Sequence, residues 1–481
     1  MNTRNKSHLL LLSLLVLVMS FAAPALATDS TADSALAALA QQKASTLVND
    51  LGVTSVQYAV ISNGEIILSG NGGVYSRTDD RPITADTMYG IGSTSKVFTT
   101  AAIMILVDSG KVALDAPVTE YIPEFTMADP RYRQITVRML LNHSSGLMGS
   151  TFRNAFLCND PDQAARDMLL ADLASQRLKA APGEFSVYCN DGFTLAELVV
   201  ERVSGESLTD FIRHNITVPL GMANTATPQD AFDRSRLART YVDALYGYAV
   251  VDTIGVIGTG GIYSTAEDLC RFARIFMNDP GADGADGILS VPSRSAMAAS
   301  EYAKGIWPVQ RCSFVGYGLG WDAVSSYPFD YYGMKAPAKG GDTQLYHSTL
   351  LVLPTANVAA AIVSSGGSSA LNLMVASELL QQLLESRGIL TAARPEVPNG
   401  KPVAAVMQPT LLGHSGLYGG EEGLLTVDIS ADGRLTVTAL GEGASRAATY
   451  TYTAEGVFVS EDGSAQMSFV TESNGHTYIK R

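Results

Sequence analysis

The chain has 481 residues and a formal net charge of −14, from 33 Lys and Arg against 47 Asp and Glu. This length suits one large domain plus a smaller one, or two to three domains, and 46% hydrophobic residues are enough for a sizeable core. No dense basic patch is present, which argues against a nucleic-acid partner. The acidic balance itself indicates solubility and no particular function.

The N-terminus has the pattern of a targeting segment. Two basic residues precede an apolar run over 9–21, and Ala25-Leu26-Ala27 has the small-x-small form of a cleavage site. The pattern predicts a secretory signal at residues 1–27 and an extracytoplasmic location, in the periplasm or at the cell surface. Its removal takes two basic residues and no acidic ones, so the mature charge is −14 − 2 = −16. The alternative is an uncleaved membrane anchor, for which the run is short.

The first part of the mature chain mixes helical and strand patterns. Helical spacing of apolar residues predicts a helix over 32–50, and Asn63-Gly64 between two strand-like runs predicts a β-hairpin. A helix is expected from about Ser93. Another short helix is expected after Thr136 as its cap, ending in a turn at 144–146.

The middle of the chain, about 160–280, is predicted to be mostly helical. Two of its helices are expected to be separated at Gly205, and another to start with a capping box formed by Ser264 and Glu267. Two buried strands and a long amphipathic helix ending at Gly388 follow. Strand-strand-helix patterns at both ends predict an α+β fold, in which helices flank one antiparallel sheet and a helical insertion lies between its halves.

The C-terminal part has a different character. A proline-punctuated linker is expected over 391–409, between a main domain at 28–390 and a small domain at 410–481. The last segment consists of short alternating runs, which predict an antiparallel β domain. Its expected turns lie at Asp432-Gly433, Asp462-Gly463 and Asn474-Gly475.

The cysteines and histidines do not form a metal-binding pattern. Neither C-x-x-C nor H-E-x-x-H spacing occurs, so no metal site is predicted. An exported chain permits disulfides, whereas buried free thiols are the alternative, and the sequence leaves both open. The four cysteines are Cys158, Cys189, Cys270 and Cys312.

Ser93 and Lys96 are the first candidates for catalysis. Residues three apart lie on one face of a helix, so the lysine can reach the serine hydroxyl, which needs a base to become a nucleophile. At the first turn, unpaired backbone N–H groups also suit an oxyanion. Burial in the apolar helix that follows is expected to lower the pKa of Lys96. The alternative is a chance S-x-x-K, with Ser93 as a helix cap and Lys96 in solvent.

Two further motifs follow Ser93 and Lys96 along the chain. Together the three motifs have the order and spacing of a motif set known from one enzyme family. Tyr188-Cys189-Asn190 has the form Y-x-N, and Lys339-Gly340-Gly341 precedes the last buried strands. With Ser93 and Lys96, they make residues 35–388 resemble the serine β-lactamase-related hydrolases, closest to the class C branch and its esterase and D-amino-acid peptidase relatives. The resemblance implies a β-lactamase/transpeptidase-like fold, an α/β sandwich with an all-helical insertion.

The resemblance also implies roles for the first three residues. Ser93 becomes acylated, and Lys96 and Tyr188 form the base system. Tyr188 accepts the serine proton, either as a tyrosinate or through a shared proton. Water then releases the acyl group, and no cofactor is required.

The substrate-binding residues are implied in the same way. Asn190 hydrogen-bonds the substrate amide and Lys96. Lys339, in the same motif as Gly341, tunes Tyr188 and attracts a substrate carboxylate. The backbone N–H groups of Ser93 and Asp342 form the oxyanion hole.

The sequence departs from the family pattern at two positions. Gly340 replaces a threonine that helps to hold a carboxylate, and Asp342 places a carboxylate where a small residue is frequent. Asp342 either disfavours anionic substrates such as β-lactams or points outward from the strand edge. Both departures favour an esterase or a D-peptidase over an efficient β-lactamase.

Three other features have plainer interpretations. A disulfide between Cys158 and Cys189 would brace the loop of the Y-x-N motif. His143 beside Ser144 is interpreted as part of a structural turn, not as a catalytic pair. The glycine-rich run at 255–261 lacks the strand-loop-helix context of a nucleotide site.

The sequence thus predicts an exported serine hydrolase that forms an acyl-enzyme with an ester or amide. The expected partner is a small molecule or a peptide, with a cell-wall fragment as one candidate, and no stable membrane span is expected after signal cleavage. A true class C-like β-lactamase is the alternative within this class. The alternative from another class is a non-catalytic penicillin-binding or sensor protein on the same scaffold.

Overall fold

The computed structural model gives the fold of most of the chain after the N-terminal segment. The predicted signal at 1–27 and the residue Cys312 lie outside the described residues. The described residues are 30–76, 78–151, 153–162, 164–241, 249–277, 287–303, 316–391, 401–420, 423–440, 447–461, 463, 465–471 and 475–480.

The secondary structure of the described residues alternates between helices and strands. The helices are α1 Ser30–Asn49, α2 Ser95–Asp108, α3 Val118–Tyr121, α4 Val137–Leu141, α5 Ala164–Ala174, α6 Asn190–Ser204, α7 Leu208–Ile212, α8 Ile257–Gly260, α9 Ala266–Ala273, α10 Val291–Met297 and α11 Ser369–Ser386. The strands of the first part are β1 Ser55–Ser62, β2 Glu65–Ser76, β3 Asp79–Pro82, β4 Tyr89–Gly90, β5 Phe156–Cys158, β6 Thr240–Tyr241, β7 Ala249–Val250, β8 Asp252–Ile254, β9 Tyr263–Ser264, β10 Ala338–Asp342, β11 Tyr346–Leu353 and β12 Val358–Ser365. The last strands are β13 Gly416–Gly420, β14 Gly423–Ile429, β15 Arg434–Leu440, β16 Ala447–Tyr452, β17 Phe458–Ser460, β18 Gln466–Thr471 and β19 Thr477–Lys480.

The main sheet is antiparallel and joins the two ends of the first domain. Its strand order is β10-β11-β12-β1-β2-β3, so β12 pairs with β1 although about 300 residues separate them. The predicted hairpin at Asn63-Gly64 is confirmed, because both residues have positive φ angles, 50° and 84°, as a type I′ turn requires. The α+β prediction is therefore confirmed.

Helices cover both faces of this sheet. Alternate residues of β1 point to opposite faces: Val56 and Val60 lie in the core with α1 and α11, whereas Ala59 and Ile61 lie in the larger core that contains α2, α6 and α9. Both cores are fully shielded from solvent at these positions. The strand β10 forms one edge of the sheet, and its position becomes important for the site.

Most predicted helix boundaries agree with the structure. Thr136 caps α4 by accepting a hydrogen bond from the amide of Met139, and Gly205 ends α6 in a left-handed conformation with φ of 76°. The capping box at Ser264 is wrong. Thr265 caps α9 and accepts from the amide of Asp268, while Ser264 belongs to strand β9.

The middle of the chain is less helical than predicted. Between α5 and α9 it contains the short strands β6, β7, β8 and β9, and β5 pairs with β8. Strands of two or three residues are too short to leave a periodic pattern in the sequence, which explains the difference.

The C-terminal part forms its own sheet. The strands β13 to β19 pair in chain order as an antiparallel meander, and their inner faces share a core with Leu435 and Phe458 at its centre. The predicted turns are marked by positive φ angles at Gly433, Gly463 and Gly475. Asp462, Asn474 and residues 392–400 of the predicted linker lie outside the described residues.

This sheet contacts the first domain at one defined place. The ring of Tyr478 lies 5.9 Å from that of Phe185, and its hydroxyl donates to the carbonyl of Lys179 at 3.0 Å. Val470 and Ala180 are buried in the same small cluster. The C-terminal sheet therefore packs against the segment that leads into the Y-x-N motif.

The described cysteines are free thiols. Cys158 is exposed on β5, whereas Cys189 and Cys270 are buried. The proposed disulfide between Cys158 and Cys189 is therefore wrong, and the thiol of Cys189 instead contacts the carbonyl of Gly149 at 3.4 Å. Among the described helices, none combines the length and apolar character needed to cross a membrane.

The contact at Tyr478 predicts coupling between the two sheets. Replacing Tyr478 with Ala removes the ring contact with Phe185 and one hydrogen bond, so we expect a loss of roughly 1–3 kcal/mol in the unfolding free energy. In differential scanning calorimetry, we expect one unfolding transition for the wild type and two for Tyr478→Ala. Tyr478→Phe is the matched control that keeps the ring, and an unchanged single transition for Tyr478→Ala would contradict the coupling.

Candidate active site

Ser93 lies in a tight turn immediately before α2. The turn is a 3-10 segment, Gly92–Thr94, and it packs on the backbone of β10. Gly92 has a φ of +50°, and a Cβ atom there would lie 2.8 Å from the amide nitrogen of Asp342. Only glycine permits so close an approach.

Strand β10 also has a glycine, Gly341, where it packs against this turn. A Cβ atom on Gly341 would lie 1.9 Å from the carbonyl oxygen of Ile91. The hydroxyl of Ser348, on the next strand, donates to that carbonyl at 2.6 Å and also bonds Thr94. The amide of Asp342 is therefore held beside the serine turn, where the second donor of an oxyanion hole is required.

Lys96 is fully buried and is surrounded by acceptors. Its Nζ donates to Ser93 Oγ at 3.0 Å, to Asn190 Oδ1 at 2.7 Å and to the carbonyl of Thr259 at 2.8 Å. An ammonium group has three donors, so this geometry fits the protonated lysine. A neutral amine, which burial favours, fits the same distances when the Ser93 hydroxyl donates to it.

Tyr188 completes the group around the serine. Its ring lies 4.9 Å from Lys96 Nζ, which itself contacts Ser93 Oγ. Burial raises the pKa of Tyr188 well above its ordinary value, the charge of Asp322 adds to this, and the nearby hydroxyl of Ser93 opposes it. The resting site therefore favours a neutral phenol. Of the two forms considered from the sequence, a shared proton fits this environment and a tyrosinate does not.

Two aromatic residues hold Tyr188 in place. The imidazole of His143 stacks on its ring at 4.5 Å, and the ring of Tyr317 packs on His143 at 4.6 Å. His143 Nδ1 accepts from the amide of Cys189 at 3.0 Å, so its proton lies on Nε2. Burial lowers the pKa of His143, and the nearby charge of Lys96 adds to this. His143 thus supports the tyrosine as a neutral ring.

The environment of Ser144 agrees with the interpretation of this segment as a turn. His143 has a positive φ of 62°, and the hydroxyl of Ser144 donates to Asn142 at 2.6 Å. The supporting role of His143 was not predicted. Its signal in the sequence is weak, because stacking on Tyr188 is a long-range contact.

Asn190 begins helix α6 and connects two segments. Its Oδ1 accepts from Lys96, and its Nδ2 donates to Ser150 Oγ at 2.8 Å. Ser150, which the sequence did not single out, therefore lies beside the site. The predicted contact of Asn190 with Lys96 is present in the structure.

Lys339 has a partner that the sequence did not reveal. Its Nζ lies 2.9 and 3.0 Å from the two carboxylate oxygens of Asp322 and 2.7 Å from the carbonyl of Gly340. Asp322 Oδ2 also accepts from the amide of Gly340 at 3.0 Å. The side chain of Lys339 is almost completely buried and is held in an ion pair.

The carboxylate of Asp342 points away from Ser93. It accepts from the amide and hydroxyl of Ser369, at 2.8 and 2.5 Å, and contacts His347 Nδ1 at 2.6 Å. Burial opposes ionisation, but the bonds from His347 and Ser369 prevail and lower the pKa of Asp342. Of the two interpretations from the sequence, the outward one agrees with these contacts, so this carboxylate does not directly face a substrate.

A buried glutamate hydrogen-bonds the turn whose Thr259 carbonyl accepts from Lys96. Glu197 on α6 accepts from the amide of Gly258 at 2.7 Å, in the turn that carries Thr259. Burial, with Glu201 nearby, raises the pKa of Glu197 to about 8.

No group of metal-ligating residues occurs within the described part of the chain.

Sequence comparison matches the chain to one protein family and to several curated proteins. The Beta-lactamase family model matches residues 40–385. Penicillin-binding protein 4 of Amycolatopsis lactamdurans is 28% identical over 335 residues, which are 68% of this chain and 84% of that protein. The D-alanyl-D-alanine-carboxypeptidase/endopeptidase AmpH of Escherichia coli K12 is 29% identical over 235 residues, 47% of this chain and 58% of AmpH.

A solved structure shows the same fold over nearly the whole length. The crystal structure of SurE with D-Leu has a TM-score of 0.68 and 22% sequence identity, and the match covers 94% of this chain and 97% of SurE. Because it extends beyond residues 40–385, this likeness includes the C-terminal sheet.

Glu197 predicts a pH dependence of stability. Its pKa is about 8 in the fold against an ordinary 4.5, so the folded state holds the proton more tightly. The wild type should therefore lose stability as the pH rises from about 4.5 to 8. Glu197→Gln keeps an acceptor for Gly258 without titrating. Its unfolding free energy relative to the wild type should increase over this range, with one pKa unit worth about 1.4 kcal/mol.

Urea unfolding between pH 5 and 9 measures this difference. Glu65→Gln, on the exposed end of β2, is the control for loss of one surface carboxylate. A difference between Glu197→Gln and the wild type that does not change with pH would show that Glu197 does not titrate as inferred.

Proposed function

The chain belongs to the β-lactamase family, whose members are serine hydrolases, and we propose that it is an exported esterase or D-amino-acid peptidase. The observation that carries the proposal is the set of contacts around one hydroxyl. Lys96 Nζ donates to Ser93 Oγ at 3.0 Å, and the ring of Tyr188 lies 4.9 Å from the same Nζ. A nucleophile, a proton carrier and a cation thus share one site.

The first half of the reaction forms an acyl-enzyme. Ser93 Oγ attacks the carbonyl carbon while its proton passes to the oxygen of Tyr188, and the phenolic proton passes to the leaving group. This relay never requires a free tyrosinate. Lys96 stays protonated and stabilises the negative charge that develops on the serine oxygen. The amides of Ser93 and Asp342 stabilise the oxyanion of the tetrahedral intermediate.

The second half reverses these proton transfers. As the water oxygen attacks the acyl carbon, a water proton passes to the oxygen of Tyr188 and the phenolic proton passes to Ser93 Oγ, whose bond to the acyl carbon breaks. Asn190, fixed between Lys96 and Ser150, keeps an amide group at the rim of the site. Its position supports a role in aligning the substrate.

Two alternatives remain distinct from this proposal. A true class C-like β-lactamase would use the same acylation steps on a β-lactam ring. A non-catalytic penicillin-binding or sensor protein would bind without turnover. The hydrogen-bonded serine favours catalysis over mere binding, and the absence of the Lys-Thr-Gly threonine at Gly340 favours substrates other than β-lactams. The export component rests on the N-terminal pattern alone.

The nucleophile can be identified by covalent labelling. A fluorophosphonate should label the folded wild type but not Ser93→Ala, and mass spectrometry should place the adduct on Ser93. Ser144→Ala is the matched control, because that hydroxyl is bonded within its own turn. Absence of labelling of the wild type would contradict the enzyme proposal, and a Ser93→Ala protein with unchanged hydrolysis would contradict the choice of nucleophile.

The tyrosine relay predicts a dependence on the leaving group. Tyr188→Phe should lower kcat/KM by about 10²–10⁴ for a D-amino-acid amide, because both proton transfers are lost. The loss for a nitrophenyl ester should be smaller, since nitrophenolate leaves without a proton. Steady-state kinetics with both substrates measure the contrast, and Tyr331→Phe, at an exposed tyrosine, is the control. Equal losses for the two substrates would exclude proton delivery by Tyr188.

A further inference from the structure

We propose that Asp322 determines the charge of the substrates that the site accepts. Its carboxylate neutralises Lys339 on the edge of β10, at the place where a substrate carboxylate would otherwise bind. Accepted substrates are therefore esters or amides without a carboxylate beside the scissile bond. This inference rests on the proposed hydrolase function and specifies its substrate class.

The first argument is the position of Asp322 on the open edge of β10. Backbone groups of alternate residues in a strand point to the same side. Those of Ala338 pair with the segment 322–323, and the amide of Gly340 donates to Asp322 Oδ2 at 3.0 Å. The amide of Asp342 is next on this edge, about 7 Å further along. The carboxylate thus lies on the same edge as the proposed oxyanion donor.

The second argument is the way in which Lys339 is used. Both carboxylate oxygens of Asp322 lie within 3.0 Å of its Nζ, and the carbonyl of Gly340 accepts from it at 2.7 Å. The side chain of Lys339 is 1% exposed, whereas that of Asp322 is 27% exposed although its Oδ1 is buried. An incoming substrate therefore meets the Asp322 side chain before it meets the ammonium group.

Asp322 makes the contacts that the carboxylate of a bound substrate would make. A lysine ammonium and a backbone N–H on a strand edge are typical partners of an anionic ligand group. Here the protein supplies the anion itself. A substrate carboxylate would have to displace it or stay beside it, and like charges at such short range repel each other.

The charge of Asp322 also reaches the catalytic tyrosine. Lys339 Nζ lies 5.4 Å from the ring of Tyr188, and Asp322 contributes to the raised pKa of that phenol. The ion pair is therefore part of the surroundings of the reacting atoms. Asp342, whose carboxylate belongs to β10 itself, is bonded to Ser369 on the opposite side.

A structural role for Asp322 is separable from this one. The segment 322–323 is held to β10 by backbone hydrogen bonds with Ala338, which a side-chain change leaves in place. In Asp322→Asn, the amide oxygen can still accept from Gly340, so only the negative charge is lost. The Lys339 ammonium then becomes available to a substrate carboxylate.

The test compares two peptides that differ in one charge. An acyl-D-Ala-D-Ala peptide has a free carboxylate beside the scissile bond, and its C-terminal amide does not. The wild type should prefer the amide in kcat/KM. Asp322→Asn should shift the carboxylate-to-amide ratio of kcat/KM at least tenfold toward the carboxylate, mainly through KM. Glu378→Gln is the matched control, because it also removes the anion of a lysine ion pair, with Lys43, outside the site.

The outcomes separate the two proposals. If the wild type hydrolyses neither peptide nor a neutral nitrophenyl ester, the proposed function fails. If it is active but prefers the carboxylate peptide, the inference about Asp322 is overturned, and this result needs no variant. An active Asp322→Asn with an unchanged ratio overturns it as well. Should that variant not fold, the preference of the wild type alone decides.

Discussion

The buried ammonium group of Lys96 is the interaction on which the site depends. Its three acceptors come from the serine turn, from the start of α6 and from the turn at α8. These segments are distant in sequence, and one side chain connects them. A charged lysine without solvent must keep all three bonds, because an unpaired buried charge costs several kcal/mol. The positions of Ser93, Asn190 and Thr259 are thereby linked.

The sequence predicted the reacting groups but not all of their contacts. Ser93, Lys96, Tyr188 and Asn190 were identified because each belongs to a short motif, and the structure brings them together. The predicted capping residue of α9 was wrong because Ser264 and Thr265 each precede an acidic residue by three positions, so the sequence pattern fits both. The contact of Lys96 with the carbonyl of Thr259 was missed because no sequence motif records a backbone acceptor.

The features on β10 explain why the rest could not be predicted. The direction of the Asp342 carboxylate follows from strand alternation relative to Ser369, and the pairing of Asp322 with Lys339 follows from a loop that returns to the edge of the sheet. Both depend on which side of an edge strand is open, and that property belongs to the folded sheet. The main fold, in contrast, follows from patterns that repeat over many residues.

The packing of Tyr478 on Phe185 also affects how deletion experiments on this protein should be interpreted. A protein cut before the C-terminal sheet would expose Phe185 and Ala180 to water, three to eight residues before Tyr188. Such a truncation would destabilise the segment before Tyr188 and would also expose an apolar surface that favours aggregation. An inactive or aggregating truncated protein would therefore give no evidence that the C-terminal sheet touches the substrate, and point changes within the sheet are the more informative route.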